Sequence, residues 1–188
     1  AINDLSLEIE EDTITGLIGR NGAGKTTLLR LIAGYMRPTA GEIRVFSHNP
    51  FNNLAVSANM IFVDDQMAFP PSLFLSDILK HAADFYPNWD TDLAGKLLEY
   101  FALNPLQSHN GLSKGMQSTF NMIIGLSSRC SLTVFDEPTT GMDIAKRKDF
   151  YRALLKDYVD HPRTVILSSH LISEVENILE DVLLIDSG

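Results

Sequence analysis

The sequence GRNGAGKT at residues 19–26 fits the pattern G-x-x-x-x-G-K-[ST] and stands between a predicted strand and a predicted helix. In this context glycines let backbone N–H groups wrap around phosphates, and the following helix points its positive end at them. Lys25 is expected to reach the β- and γ-phosphates of a nucleotide, and the Thr26 hydroxyl to ligate Mg²⁺. The pattern therefore predicts a phosphate-binding loop. The expected nucleotide contacts here are Gly19, Asn21, Gly22, Gly24, Lys25, Thr26 and Thr27.

Two carboxylates follow a second apolar strand. Residues 132–135 (LTVF) are expected to form a buried strand, and Asp136 and Glu137 come directly after it. Alone, two acidic residues at a strand end are more often a solvated turn. Beside a phosphate loop, Asp136 is expected to hold Mg²⁺, and Glu137 to orient and polarise an attacking water. The combination predicts nucleotide hydrolysis.

The remaining pattern alternates short strands with helices. Strands are predicted at 5–9, 13–18, 43–46, 60–63, 132–135, 164–167 and 182–185. Helical periodicity is predicted after Gly24, at 76–85, after Asp90, at 113–127, after Asp143 and at 171–179. Because residues 68–128 are mostly helical, we expect an α/β core with an inserted helical lobe.

Composition restricts the class of protein. The chain has 188 residues, 45% of them hydrophobic, and 15 basic against 24 acidic residues give a net charge of −9. This balance favours a soluble globular domain and argues against a sequence-independent grip on nucleic acid. The single cysteine, Cys130, excludes an intramolecular disulfide and a Cys-rich metal site. Neither a membrane-spanning run nor a secretory signal is predicted, so a cytoplasmic setting is expected.

Four further motifs, taken with the phosphate loop, resemble those of the ATP-binding cassette (ABC) ATPases. Residues 112–117 (LSKGMQ) are similar to the family's L-S-G-G-Q signature and precede the acidic strand end. Gln66 after the strand at 60–63 matches the Q-loop glutamine, and Asp143 matches the D-loop aspartate. His170, after the strand at 164–167, matches the switch histidine. The resemblance covers nearly the whole chain.

The resemblance implies a P-loop NTPase (RecA-like) fold with a small N-terminal β region and an inserted helical lobe. It also implies that two cassettes pair head to tail, with each ATP held between one phosphate loop and the partner's signature. Glu137 would act as catalytic base and His170 would stabilise the γ-phosphate and the water. The implied role of Gln66 is to sense the γ-phosphate and Mg²⁺. The other residues implied to contact ATP are Ser113, Gly115 and Asp143, and the implied Mg²⁺ ligands are Thr26, Gln66 and Asp136.

These features predict an ATPase subunit of an ABC transporter, peripheral on the inner face of the cell membrane. The expected partners are ATP, a second ABC ATPase subunit (identical or different) and a transmembrane permease, with no nucleic acid. The alternative is a soluble ABC-type ATPase acting on ribosomes or DNA. The apolar residues at 67–74 suit either docking of the permease or packing of the lobe's own core.

Three departures from the family pattern accompany the resemblance. Lys114 stands where the signature commonly has Gly, and Met116 where it has Gln. The L-S-K-G-M form resembles a branch of bacterial transporter ATPases that includes peptide and antibiotic exporters. No aromatic residue precedes Gly19 to stack on adenine. We therefore expect residues 1–188 to be a single ABC ATPase domain that is a fragment of a longer chain.

Overall fold

A computed structural model describes residues 2–186 of the chain. Its centre is a five-stranded sheet, in which every neighbouring pair of strands is parallel, in the order β2-β3-β4-β1-β5. The strands are β1 (Ile14–Ile18), β2 (Met60–Val63), β3 (Leu132–Phe135), β4 (Thr164–Ser169) and β5 (Asp181–Leu184). Parallel strands require crossover connections, which helices provide here. The predicted α/β core is confirmed.

Helices cover both faces of the sheet. They are α1 (Lys25–Ile32), α2 (Leu54–Ala58), α3 (Leu75–Phe85), α4 (Thr91–Tyr100), α5 (Lys114–Ser127), α6 (Ile144–Asp160) and α7 (Ile172–Val175), with a 3₁₀ turn at His109–Gly111. Between β2 and β3 the regular elements are the 3₁₀ turn and α3, α4 and α5. Among residues 2–186, no helix is long and apolar enough to cross a bilayer.

Alternate residues along β1 to β4 enter two different cores. In β1, Ile14 packs with α3 to α6, whereas Leu17 packs with α1 and α2. In β3, Phe135 belongs to the first core and Val134 to the second. This alternation follows from the two-residue period of a strand buried on both faces. The helices between β2 and β3 therefore share one continuous core with the sheet.

A buried ion-pair cluster joins the sheet to the helices. Asp157 of α6 lies 3.1 Å from Arg129 and 2.8 Å from Arg163, and Arg129 also lies 2.7 Å from Asp90 at the start of α4. Asp157 and Arg163 are almost fully buried. Since a buried charge is costly without a partner, these contacts depend on one another.

The predicted N-terminal β region does not form. Residues 5–9 pair with no strand in the part of the chain that the structure describes, and both Leu5 and Leu7 are exposed. At 43–46, Val45 and His48 form an isolated bridge across a two-residue turn, in which Phe46 and Ser47 have positive φ. Alternation predicts a strand only where a partner satisfies its backbone, and positive φ ends the extended conformation.

The ends of several elements also differ from prediction. The helix expected at 171–179 is shorter in the structure, where α7 spans only Ile172–Val175. The chain then turns, and Leu179 packs against Gly16 of β1. Strand β4 continues to Ser169, two residues beyond its predicted end. That extension carries Ser168 into the buried part of the sheet.

Candidate functional site

The functional motifs gather at one edge of the sheet. In a parallel sheet all carboxyl ends meet at the same edge, and ligands bind in the crevice beyond it. The phosphate loop follows β1, and Asp64 follows β2. Asp136 follows β3, and His170 follows β4. The register places Phe135 opposite Leu167 and Leu17 opposite Ser168, so the segments after these strands are neighbours.

The phosphate loop ends where α1 begins. Gly24, the residue before the helix, has a φ of 110°, which only glycine adopts without strain. No side chain caps α1, so its first N–H groups stay directed toward the loop. A cavity of about 230 Å³ lies over this end of the helix. It is lined by Asn21, Gly22, Gly24, Lys25, Thr26, Thr27 and Glu137.

Lys25 is buried although it carries a charge. Its Nζ donates to the carbonyl oxygens of Gly19 at 2.7 Å and Arg20 at 3.3 Å, so the side chain folds back along the loop. The same ammonium lies 3.3 Å from Glu137 Oε1. A buried cation needs such compensation, and Glu137 supplies the opposite charge.

Glu137 joins the phosphate loop to the end of β4. Its second oxygen, Oε2, lies 2.8 Å from His170 Nδ1. Its backbone φ is 47°, an uncommon value for a residue with a side chain, and its N–H donates to Ser168 Oγ at 2.8 Å. Strained backbone of this kind persists where surrounding contacts hold it, often at functional sites. Lys25, Glu137 and His170 therefore form one continuous line beside the cavity.

Ser168 was not predicted as a site residue. Its hydroxyl donates to Asp136 Oδ1 at 2.6 Å and accepts from the Glu137 N–H, so it orients both carboxylate residues. Ser168 and Asp136 are both buried. The signal in the sequence was Ser168 directly after the apolar run 165–167, since a buried hydroxyl usually has a hydrogen-bond partner.

Seven predicted site residues do not line this cavity. Three of them, Gly19, Asp136 and His170, bond to or directly adjoin its lining residues, whereas the other four lie elsewhere. Gln66 is exposed and accepts from Arg30 Nη2 at 3.0 Å, in a second cavity of about 490 Å³. Ser113 and Asp143 are also exposed, and each caps the helix that follows it, α5 and α6 respectively. Gly115 packs at the start of α5. None of the four lines the phosphate-loop cavity.

The start of α5 packs tightly against the loop after β3. A Cβ at Gly115 would lie 2.4 Å from the carbonyl oxygen of Gly141. Ser118 Oγ donates to the carbonyl oxygen of Thr140 at 2.7 Å. The segment 112–117 and the loop that ends at Asp143 are therefore brought together, as one surface distinct from the cavity.

A buried histidine connects α5 to the end of β2. His109 Nε2 lies 3.0 Å from Asn121 Oδ1, and Asn121 Nδ2 donates to the carbonyl oxygen of Asp64 at 3.2 Å. Because the amide oxygen of Asn121 is the acceptor, Nε2 carries the proton in this arrangement. Burial lowers the pKa of His109, whose ring packs against Phe69 and Phe120.

The apolar residues after Gln66 mostly pack inward. Three of these residues are partly buried against the first core, namely Met67, Phe69 and Leu73. Phe74, in contrast, is exposed. The ring centroids of Phe69 and Phe120 are 6.0 Å apart. Of the two interpretations of this segment, packing of the chain's own core accounts for these three residues.

Comparison with known proteins places the chain in a family. The profile of the ABC transporter family matches residues 2–140. The ABC transporter ATP-binding proteins YtrB and NatA of Bacillus subtilis (strain 168) are 27% and 29% identical to the chain, over 93% and 100% of its length. The chain spans 60% of YtrB and 79% of NatA.

A solved structure supports the fold. The dimeric structure of MJ0796, a bacterial ABC transporter cassette, has a TM-score of 0.83 and 21% identity, covering 97% of this chain and 84% of that one. At this identity the likeness concerns the fold. Together with the profile match over most of the chain, it agrees with the motifs found at the sheet edge. The chain belongs to the ABC transporter family.

Proposed function

We propose that this chain is the ATP-binding subunit of an ABC transporter and hydrolyses ATP to drive a separate membrane protein. The observation that carries the proposal is the line of Lys25, Glu137 and His170 beside a cavity at the phosphate loop. An ammonium for phosphate oxygens, a carboxylate for water and an imidazole beside it are groups that can serve phosphoryl transfer to water.

ATP binding is proposed to exchange the partners of Lys25. Its ammonium would leave Glu137 and contact the β- and γ-phosphates, while the N–H groups at the start of α1 receive phosphate oxygens. Asn21, Gly22 and Thr27 line the same cavity and would complete the cradle. The buried cation would then remain compensated, by phosphate in place of carboxylate.

The residues present fit Mg²⁺. Thr26 and Asp136 provide a hydroxyl and a carboxylate, the hard oxygen ligands that this ion prefers, and Asp136 already has its orientation fixed by Ser168. Residues 2–186 contain no group of three or more His, Cys, Asp or Glu side chains able to hold a metal. Mg²⁺ is usually bound by one or two protein ligands together with substrate phosphates. When bound, it would neutralise charge on the phosphates.

Hydrolysis is proposed to use Glu137 as the base. Once released from Lys25, its carboxylate would accept a proton from the attacking water, and His170 would orient that water and the γ-phosphate. Ser168 would hold the backbone at Glu137 in place through its 2.8 Å contact. Gln66 would reach the site only after leaving Arg30, to which it is bonded in this structure.

A second cassette is proposed to complete each site. Ser113 and Asp143 are exposed and lie outside the cavity, so under this proposal a nucleotide at one phosphate loop would contact these residues of the partner cassette. Ser113 at the start of α5 could offer its hydroxyl and the helix N–H groups to a γ-phosphate across the interface. The dimeric cassette among the structural relatives supports this arrangement.

The permease and the location are part of the same proposal. Residues 68–128 would act as the helical lobe that meets the cytoplasmic side of a transmembrane subunit, making the chain peripheral on the inner face of the membrane. The names of YtrB and NatA, both transporter ATP-binding proteins, support a permease partner over ribosomes or DNA. The net charge of −9 also disfavours nucleic acid.

Complementation between two inactive variants tests the shared site. Lys25→Met removes the phosphate-loop cation, and Ser113→Arg blocks the signature, so each alone should be inactive. In an equal mixture, half of the randomly formed dimers are mixed and hold one complete site, giving about a quarter of the wild-type rate. No recovery in the mixture, with wild type active, would contradict the shared site.

Co-purification tests the transporter. Tagged protein incubated with membrane extracts is expected to retain a multi-span membrane protein, identified by mass spectrometry. Recovery of ribosomal or DNA-associated proteins without a membrane partner would refute the transporter function and leave only ATP hydrolysis.

A further inference from the structure

The segment that carries Gln66 is held from two sides. Residues 64–66 follow β2 directly. Arg30 of α1 donates to Gln66 Oε1 at 3.0 Å. From the opposite helix, α5, Lys114 Nζ donates to both the backbone oxygen and Oδ2 of Asp65, each at 3.0 Å. Asp65 thus binds to α5, which begins at the signature motif, and Gln66 binds to α1, which begins at the phosphate loop.

Lys114 extends from a fixed point. It is the first residue of α5, directly after the cap Ser113, and its side-chain stem passes close to Gly141. The next residue, Gly115, is packed against the carbonyl of Gly141 with no room for a Cβ. Since the start of α5 cannot shift freely, the bonds from Lys114 to Asp65 hold the residues beside Gln66 at a fixed distance from the signature motif.

The contact is better suited to positioning than to stability. Both side chains are nearly half exposed, and ion pairs in such surroundings add little to folding. However, the Lys114 ammonium donates to two acceptors of Asp65, its carboxylate and its backbone carbonyl. The second of these bonds restricts the backbone of Asp65 itself. A glycine, which the signature pattern commonly has at this position, could not make either bond.

We propose that Lys114 is a positioning residue for ATP hydrolysis, which by holding Asp65 fixes the segment carrying Gln66 against the start of α5. This inference rests on the proposed ATPase function. Lys114 has no contact with the phosphate-loop cavity of its own chain, so its effect is exerted on turnover through the segment 64–66. Removal of either charge should therefore lower the rate without weakening ATP binding.

Lys114→Met, Asp65→Asn and the double variant test this in steady-state ATPase assays. Each single variant should lower kcat about three- to tenfold and leave KM within about twofold. The double variant should be no slower than the slower single, because both remove one interaction. The reversed pair Lys114→Asp with Asp65→Lys should recover at least part of kcat. Lys96→Met, the same charge change on an exposed residue of α4, is the matched control.

Hydrogen exchange gives a second measurement that does not depend on turnover. In Lys114→Met, amide exchange at 64–68 should rise about threefold or more, while Lys96→Met leaves it unchanged. If the wild type is active and Lys114→Met leaves either kcat or amide exchange unaltered, this inference alone is overturned. The same holds if the losses in kcat of the two single variants multiply in the double variant. A wild type without ATPase activity would overturn the proposed function and this inference together.

Discussion

Glu137→Gln separates the two roles that the structure gives to this carboxylate. In this structure Glu137 is the counter-ion of Lys25, and in the proposed mechanism it is also the base. The substitution keeps the shape of the side chain but removes its charge. ATP should therefore bind more tightly, since it no longer competes with a carboxylate for Lys25, while hydrolysis should slow.

The gain in affinity can be bounded from the geometry. At the 3.3 Å between Lys25 Nζ and Glu137 Oε1, an effective dielectric constant of about 20 gives about 5 kcal/mol of gross attraction. Net charged hydrogen bonds contribute less, about 1.5–3 kcal/mol, and a glutamine amide keeps part of this. We expect a gain of about 1–2 kcal/mol, which lowers the Kd for ATP about five- to thirtyfold. Loss of the base should slow hydrolysis by a factor of about 10²–10⁴.

Calorimetric titration with ATP gives the Kd, and phosphate release gives the rate. Glu99→Gln, the same substitution on the exposed face of α4, controls for net charge and should leave both unchanged. An unaltered or weaker affinity in Glu137→Gln would refute the competition for Lys25. A hydrolysis rate within tenfold of wild type would refute the assignment of Glu137 as base.

Three further substitutions test the start of α5, the buried ion-pair cluster and the buried histidine. Gly115→Ala should lower the free energy of unfolding by about 1–3 kcal/mol, because a Cβ would stand 2.4 Å from the Gly141 carbonyl oxygen. Asp157→Ala should lower it by about 3–5 kcal/mol, since buried Arg163 loses a carboxylate 2.8 Å away; urea unfolding measures both. Burial lowers the pKa of His109, so below about pH 6.5 the unfolded chain binds a proton that the folded chain does not. Stability should fall as the pH decreases from there toward the folded pKa, and His109→Gln should reduce this slope by up to about 1.4 kcal/mol per pH unit.

Each of these substitutions has a control in an open environment. A Cβ at Gly95 would meet nothing within 4 Å, so Gly95→Ala should not destabilise α4. Asp149→Ala removes only an exposed pair with Arg152 and should cost less than about 1 kcal/mol. His81→Gln makes the same change at an exposed histidine. Equal effects in a substitution and its control would contradict the packing assigned to that position.

The sheet was predictable where local pattern and burial agree. The segment at 60–63 and the one at 132–135 are short, mainly apolar runs, and both form fully buried strands, β2 at the edge of the sheet and β3 inside it. The segment at 5–9 alternates as a strand should, yet it forms none, because pairing depends on a distant partner that the local pattern does not contain. Extended structure is thus decided by non-local contacts that sequence periodicity does not report.

The candidate site was predictable in its residues more than in its contacts. A motif identifies Lys25 and Glu137 because the chemistry of phosphate restricts which residues can serve. It does not predict that these two pair with each other. Nor does it predict the bond from Lys114 to Asp65, which joins residues 49 positions apart. Such contacts depend on which strand ends the fold brings together.

The pairing of Lys25 with Glu137 also orders the steps of the proposed mechanism. A buried ammonium without a partner would be costly, and Glu137 supplies the opposite charge beside Lys25. In this structure both oxygens of that carboxylate are already in contacts, with Lys25 and with His170. The base would become available only when a triphosphate replaces it at Lys25, so the same exchange that binds the substrate also activates the catalytic group. The catalytic base would then be released only by the binding of a triphosphate. The tighter ATP binding expected for Glu137→Gln would measure the free energy that displacing Glu137 from Lys25 costs.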